Sequence, residues 1–251
     1  MNDWYDEIGK GYTDLRVPDT RIDALIKSAL GDSTTVVNIG AGAGAYEPEA
    51  KEVYALEPST LMLQQYRGKG TRIQGTAELN PLADKSVDAS MGILTLHHWE
   101  NWRQGLSEML RVSRNTAVLL THTPDLFDFW LLDYFPAIRE IDQEIFTSID
   151  EIITVATTEG WQTETIPMPV PYDCTDGFLG AYWRRPEAYL RPEVRRSIST
   201  FNLLDKALVQ ETLYRLHNDI KSGAWDHQYG HIMELTELNL GYRILKMTPL
   251  D

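Results

Sequence analysis

The stretch VVNIGAGAGAYE, from Val36 to Glu47, restricts the fold of this chain more than any other. Its first part is apolar and β-branched apart from Asn38, the pattern of a buried strand. Gly40, Gly42 and Gly44 then alternate with alanines. Glycines so placed let the backbone turn tightly and approach a ligand closely. A strand, a glycine-rich turn and a following helix would aim backbone N–H groups at the open carboxyl end of a sheet. Ligands of open α/β sheets bind in that crevice. The spacing also fits G-x-G-x-x-G/A, with Ala45 last. Alone, that fit describes a tight packing turn as well as a binding loop.

The chain around the loop supports an α/β reading. EVYALE, TRIQG, VDASMGILTL and NTAVLLTH are strand candidates, with helical patterns between most of them. Before the loop, Pro18 and Asp19 signal a helix start, and Thr20 with Asp23 resembles a capping box. Ser59 is placed to cap TLMLQQYR, a helix expected to end at Gly68. Trp102, Leu106, Met109 and Leu110 mark a further apolar helix face. Alternation at this rhythm predicts an α/β fold with a doubly wound, parallel sheet. After Thr123 the rhythm changes. WQTETIPMPV and ELNLGYRILKM read as late strands, with a long helical stretch between them. The expectation is a single domain over residues 1–251, with residues 124–148 and 173–230 forming a helical cap or wall over the sheet edge.

Composition narrows the partners. A formal net charge of −14 disfavours a nucleic-acid surface, which needs clustered Lys and Arg. It also disfavours anionic lipid. Cys174 is the single cysteine, so no internal disulfide forms, and packing is its ordinary role. MNDWYDEIGK lacks the basic and apolar regions of a signal peptide. No apolar run approaches the ~18 residues of a membrane helix. A cytoplasmic location is expected.

Glu57 ends the second strand, beside the loop, where a carboxylate accepts hydrogen bonds from a ribose diol. Loop and acid together support an adenosine ligand, leaving NAD and S-adenosylmethionine both open. The segment GTAELNPLADKSVDASMG adds Ala77-Glu78, Pro81-Leu82, Asp84 and Ser86-Val87-Asp88 leading into a strand. With these four motifs in order, Ile22 to Thr121 resembles the class I S-adenosylmethionine-dependent methyltransferases. The likeness is to the group that includes the ubiquinone and menaquinone biosynthesis methylases. It differs from that group at Asn38, where Asp is usual, and at LNPLAD, which has an extra Asn80 and no aromatic residue.

The resemblance implies a mostly parallel, seven-stranded Rossmann-like methyltransferase sheet with S-adenosylmethionine as cofactor. Gly40, Ala41 and Gly42 would face its methionine part, with Asn38 orienting the loop. Glu57 would take the ribose hydroxyls. Pro58, Met62, Ala77 and Glu78 would lie about the adenine, and Ile93 and Leu94 would form the floor. Residues 1–18 would fold over the cofactor, bringing Tyr12 and Arg16, the latter to pair with the cofactor carboxylate or to remain a surface Arg.

The methyl acceptor is expected to be a small molecule. His97 and His98 follow the fourth strand and His122 ends the fifth, so His97 and His122 are the candidate catalytic bases. A capping or packing role is the alternative for each. A paired-His metal site lacks a third ligand nearby in sequence. Phe127, Phe129, Trp130, Tyr134 and Phe135 would wall a pocket or fill the core. Arg184, Arg185, Arg191, Arg195 and Arg196 would clamp an acidic substrate, face solvent or contact a second subunit. Two other functions stay open: an NAD(P)-dependent oxidoreductase, disfavoured by the Ala77-Glu78 to Asp88 segment, and a non-catalytic cofactor-binding protein.

Overall fold

Val36, Val37, Asn38 and Ile39 are all buried. Burial on both faces requires layers of structure above and below the strand. The computed structural model describes residues 16–250. In chain order it has α1 (Thr20–Leu30), β1 (Thr35–Ile39), β2 (Glu52–Glu57), α2 (Thr60–Gln64), β3 (Thr71–Gln74), β4 (Val87–Ile93), α3 (Trp102–Val112) and β5 (Ser113–His122). Then follow α4 (Leu131–Tyr134), α5 (Ala137–Ile145), α6 (Ile149–Thr158), β6 (Trp161–Pro167) and β7 (Val170–Pro171). The chain closes with α7 (Pro192–Arg196), α8 (Ser199–Leu203), α9 (Lys206–Ser222), α10 (Ala224–Tyr229), β8 (Glu237–Leu238) and β9 (Tyr242–Pro249).

Seven strands form one sheet in the order β3-β2-β1-β4-β5-β9-β6. The strands β1 to β5 pair in parallel, and β9 runs antiparallel to both β5 and β6. The strand order reverses between β1 and β4. The carboxyl ends of those two strands therefore border the crevice where ligands of such sheets bind. Consecutive residues point to opposite faces. Val36, Leu120 and Ile244 join one core layer, with α1 and the aromatic residues of the late helices. Val37, Leu119 and Leu245 join the other, under α3 and α6.

At the opposite, amino end of the sheet, Asp88 ties β4 to the start of β1. It accepts from the Thr34 amide at 2.9 Å, the Thr34 hydroxyl at 2.6 Å and the Thr35 amide at 3.1 Å. These bonds hold its carboxyl well below the usual carboxylate range. Asp88 of the Ser86-Val87-Asp88 motif is thus a structural clasp.

Three local expectations are corrected. No helix follows the glycine loop: residues 41–50 form turns. Gly42, Gly44 and Pro48 oppose helix there, and Tyr46 adopts φ +63°. The helix after Ser59 ends at Gln64, short of Gly68. Beyond it, Tyr66 is held by its hydroxyl, which donates to Glu47 and accepts from the Gly70 amide. Asp19, rather than Thr20, caps α1, its side chain accepting from the Arg21 amide at 3.0 Å.

Residues 124–146 and the helical stretch after residue 173 share one aromatic core. Trp130 donates from its indole to the Trp183 carbonyl at 2.6 Å and packs edge-on against Tyr189 and Trp225. The start of α1 is bolted to the same region: the Thr175 amide donates to Asp19, and Arg21 bridges Asp19 and Asp173.

Candidate active site

The glycine loop is a shaped cradle. Gly40 has φ +69°, and a Cβ on it would lie 2.0 Å from the Thr95 hydroxyl. Gly42 has φ +54°, and Met62 packs beneath it, 3.6 Å from where its Cβ would stand. Above the loop lies a cleft of about 260 Å³, lined by Asn38, Gly40, Ala41, Gly42, Ile93 and Arg16, among others.

Glu57 closes the loop from behind. It is 6% exposed and accepts from the Gly42 amide at 2.8 Å and the Ser59 amide at 3.0 Å. Burial pushes its carboxyl pKa up, and the two amides partly offset that. Pro58 follows directly in the chain. Ala77 is buried. Glu78 accepts from the Asn101 amide at 3.1 Å, and its own carbonyl accepts from Gln104, so it also braces the start of α3.

Asn38 has an identifiable partner. Its amide donates to Glu47 at 2.9 Å, and Glu47 accepts from Tyr66 through its other oxygen at 2.5 Å. The Tyr66 ring lies where a Cβ on Gly44 would fall. This Asn38–Glu47–Tyr66 chain clamps the loop that no helix supports.

Arg16 sits on a buried carboxylate. Its Nε lies 2.6 Å from Asp176 Oδ1, and a second guanidinium nitrogen lies 3.3 Å from Oδ2. Asp176 also accepts from the Tyr46 hydroxyl at 3.0 Å. Arg16 also lines the cleft above the glycine loop, the place from which it would reach a cofactor carboxylate. Tyr12 lies outside the described residues.

A second, smaller cavity of about 60 Å³ adjoins the cleft. Arg16 lines both, and the consecutive residues Ile93 and Leu94 line one each. The second cavity gathers His97, His98 and His122 from the ends of β4 and β5. His97 lies with its ring centroid 3.8 Å from His98 and 4.5 Å from Phe146. His122 stands opposite Tyr242 in the sheet register, their ring centroids 4.9 Å apart. Burial lowers the pKa of all three imidazoles, to about 4 at His98, about 3 at His122 and well below normal at His97. All three are neutral near pH 7. The His122 ring donates to the Leu240 carbonyl, and its Nε2 is buried with no hydrogen-bond partner. That bond fixes the tautomer and leaves the lone pair on Nε2.

Asp142 belongs to none of the sequence motifs. It lines the same cavity from α5 and is 1% exposed. Its Oδ1 accepts from the Thr200 hydroxyl at 3.1 Å, whereas Oδ2 has no partner. Burial pushes its carboxyl pKa up to about 7. The detectable signal was an Asp on the apolar stripe of a helix, one turn after Ile138.

Other candidates lie elsewhere. Trp99, which follows His98 in the chain, packs against Gly92 and Gly105. Phe127 packs edge-on against His122, while Trp130, Tyr134 and Phe135 fill the core. Arg184, Arg185 and Arg195 donate to main-chain carbonyls, at Leu235, at Cys174 with Ala181, and at Tyr189. None of the five arginines of that stretch lines the histidine cavity. Cys174 is buried, its thiol pushed up to about 12 by burial. Among the described residues, no three His, Cys, Asp or Glu side chains are grouped to hold a metal, and no helix is long and apolar enough to cross a membrane.

The strand order, the glycine cradle at its reversal and the acid that ends β2 define a Rossmann-like methyltransferase. Comparison with known proteins agrees: residues 37–121 match the family model described as a methyltransferase domain. A structure ascribed to a methyltransferase of an antibiotic biosynthesis pathway in Anabaena variabilis is 39% identical, with a TM-score of 0.87. The match covers 94% of this chain and 99% of that one. The chain belongs to the class I S-adenosylmethionine-dependent methyltransferases. An S-adenosylmethionine-dependent methyltransferase of Thermotoga maritima shares the fold at 14% identity and a TM-score of 0.57, covering 99% of this chain and 97% of that one. No curated protein sequence matches the chain. The enzyme is a methyltransferase, and its cofactor is S-adenosylmethionine.

Proposed function

We propose that the enzyme methylates a small molecule held in the histidine cavity, with the cofactor in the adjoining glycine cleft. The observation that carries this reading is the junction of the two spaces. They share Arg16 and diverge at the consecutive residues Ile93 and Leu94, so a donor in one and an acceptor in the other meet at the end of β4. The cavity's size and the chain's acidity support a small acceptor over a nucleic acid. The motif likeness to the ubiquinone and menaquinone methylases falls on the cofactor half, so it says nothing of the acceptor.

The residues present fit the cofactor. Gly40, Ala41 and Gly42 give a backbone surface without obstructing side chains. Glu57 is an acid already desolvated and aligned at that surface for the ribose diol. Asn38 orients the loop through Glu47, and Met62 supports it from below. Pro58, Ala77 and Glu78 complete the adenine side, and Ile93 the floor. When bound, S-adenosylmethionine supplies an electrophilic methyl group on a sulfonium centre.

The protein's part is alignment, exclusion of water and reception of a proton. In-line displacement rewards a fixed approach of the two reactants. His97 and His122 are too weakly basic to hold a proton near pH 7, so their part is to accept hydrogen bonds and orient the acceptor. Asp142, with a carboxyl near 7, is matched to take a proton at working pH.

The first test is thermal. S-adenosylhomocysteine is expected to raise the melting temperature and NAD to leave it unchanged, because only a ligand of the native state stabilises it. Stabilisation by NAD alone would overturn the reading.

A further inference from the structure

Two buried polar atoms in the histidine cavity lack partners: Asp142 Oδ2 and His122 Nε2. Both belong to side chains 1% exposed, and both side chains line the same cavity. Native proteins satisfy nearly all such atoms. A pair left open on facing elements of one cavity is therefore a place prepared for a ligand. Neither atom offers a fixed proton. The His122 tautomer puts a lone pair on Nε2, and an ionised Asp142 only accepts. The matching ligand brings hydrogen-bond donors.

Charge selects among donors. The titratable groups that line the cavity with Asp142 are Arg16, His97, His98, His122 and Tyr242. Burial holds the three imidazoles neutral and the Tyr242 phenol protonated. The charge of Arg16 is matched by Asp176. Ionised Asp142 is then a buried negative charge without a counter-charge, which is costly until a cation arrives. A carboxylic acid acceptor would set two carboxylates together. An alcohol or phenol would have to lose its proton beside one. The rings of Phe146, Phe178 and Tyr242 on the cavity wall suit an alkylammonium group.

We infer that the methyl acceptor is a small amine, anchored by Asp142 Oδ2 and His122 Nε2. The inference rests on the proposed placement of the acceptor in this cavity. The amine enters as an ammonium paired with Asp142 and gives up one proton to that carboxylate before its lone pair is free. Alkylation then forms one N–C bond as one S–C bond breaks, with that bond's electron pair remaining on sulfur. The nitrogen is again cationic and leaves as an ammonium, and Asp142 passes the proton it took to solvent, which restores the carboxylate. The cavity of about 60 Å³ takes the amino group and the first carbons attached to it.

The test is a titration of the protein saturated with S-adenosylhomocysteine against benzylamine, benzyl alcohol and benzoate, read by calorimetry. Benzylamine is expected to bind at least about tenfold tighter than either of the others. Asp142→Asn should cut that preference to within about twofold, while Thr200→Val, which keeps the carboxylate, should retain it. Affinity for S-adenosylhomocysteine in the same titrations reports the fold of each variant. Equal binding of the three probes, binding of none, or loss of preference in Thr200→Val as complete as in Asp142→Asn would overturn the amine assignment. If Asp142→Asn does not fold, the wild-type comparison decides alone. Failure of wild-type protein to bind S-adenosylhomocysteine would instead remove the cofactor half of the reading.

Discussion

At Glu57 two opposing effects meet. Burial pushes the carboxyl pKa up, while the Ser59 and Gly42 amides pull it down. The amides also fix its direction, so the charge is aligned before any ligand arrives. Such preorganisation avoids an ordering cost on binding. Glu57→Gln replaces one accepting oxygen by an N–H₂ group, which must confront either the Gly42 or the Ser59 amide. The loss of one buried charged acceptor is ~1–3 kcal/mol, so the dissociation constant for S-adenosylhomocysteine should rise about tenfold to a hundredfold. Calorimetric titration checks this, and an unchanged affinity would take Glu57 out of the cofactor site. Asp142 is the complementary case, a cavity-lining carboxylate with one oxygen satisfied and the other without a partner. Glu57 was legible in the sequence because it ends a strand beside a glycine loop. Asp142 was not, because EIDQEIF offers several acids and only packing selects the one on the buried face of α5.

The loop between β1 and β2 shows where local pattern and tertiary structure part. The strand, the glycines and the acid stand where the pattern puts them, since each rests on short-range preference. The helix expected after them is absent, and the Asn38–Glu47–Tyr66 chain holds the segment. Nothing in the spacing could show that chain, because Tyr66 lies beyond β2. Likewise, His97, His98 and His122 were placed by strand ends, but their shared cavity depends on Phe146 and Asp142 from the cap. The clamp also explains Asn38 itself. An Asp there would lose the N–H donor and set a second carboxylate against Glu47, whose pKa burial already raises. Asn38→Asp should destabilise the fold by ~1–3 kcal/mol near pH 8. At pH 5.5 the deficit should shrink. The folded pair then holds a proton that the unfolded carboxylates have released, so stability falls as pH rises. Urea denaturation of both proteins at the two pH values measures it. Equal deficits would mean that Glu47 is not the partner that makes Asn the required residue.

At the scale of the molecule, the site is built where the sheet, the first described residues and the helical stretch after β5 converge. Asp176 joins Arg16 at the start of the described chain, Tyr46 after the glycine loop, and the cap segment that carries Asp176 itself. The acceptor cavity is enclosed by groups from the segment after β4, from β5, β9 and α5, and from the start of α8 with the turn before it. Enclosure of this kind strengthens a charge inside but sets that charge against folding. Burial raises the Asp142 carboxyl from 3.8 to about 7. Between those values the folded state holds a proton that the unfolded state has lost, so stability contributed by this group falls as pH rises. At ~1.4 kcal/mol per pH unit, the accumulated loss approaches ~4 kcal/mol by pH 8. Asn at this position cannot ionise. Relative to the native protein without ligand, Asp142→Asn should therefore gain stability steadily from pH 4 to pH 8, by ~4 kcal/mol across that window. Its own unpaired amide shifts the whole difference down by ~1–3 kcal/mol without changing the slope. Urea midpoints at four pH values give that slope directly. A difference independent of pH would show that Asp142 ionises in the fold as freely as in water, and with it the case for a charge awaiting a cation would fall.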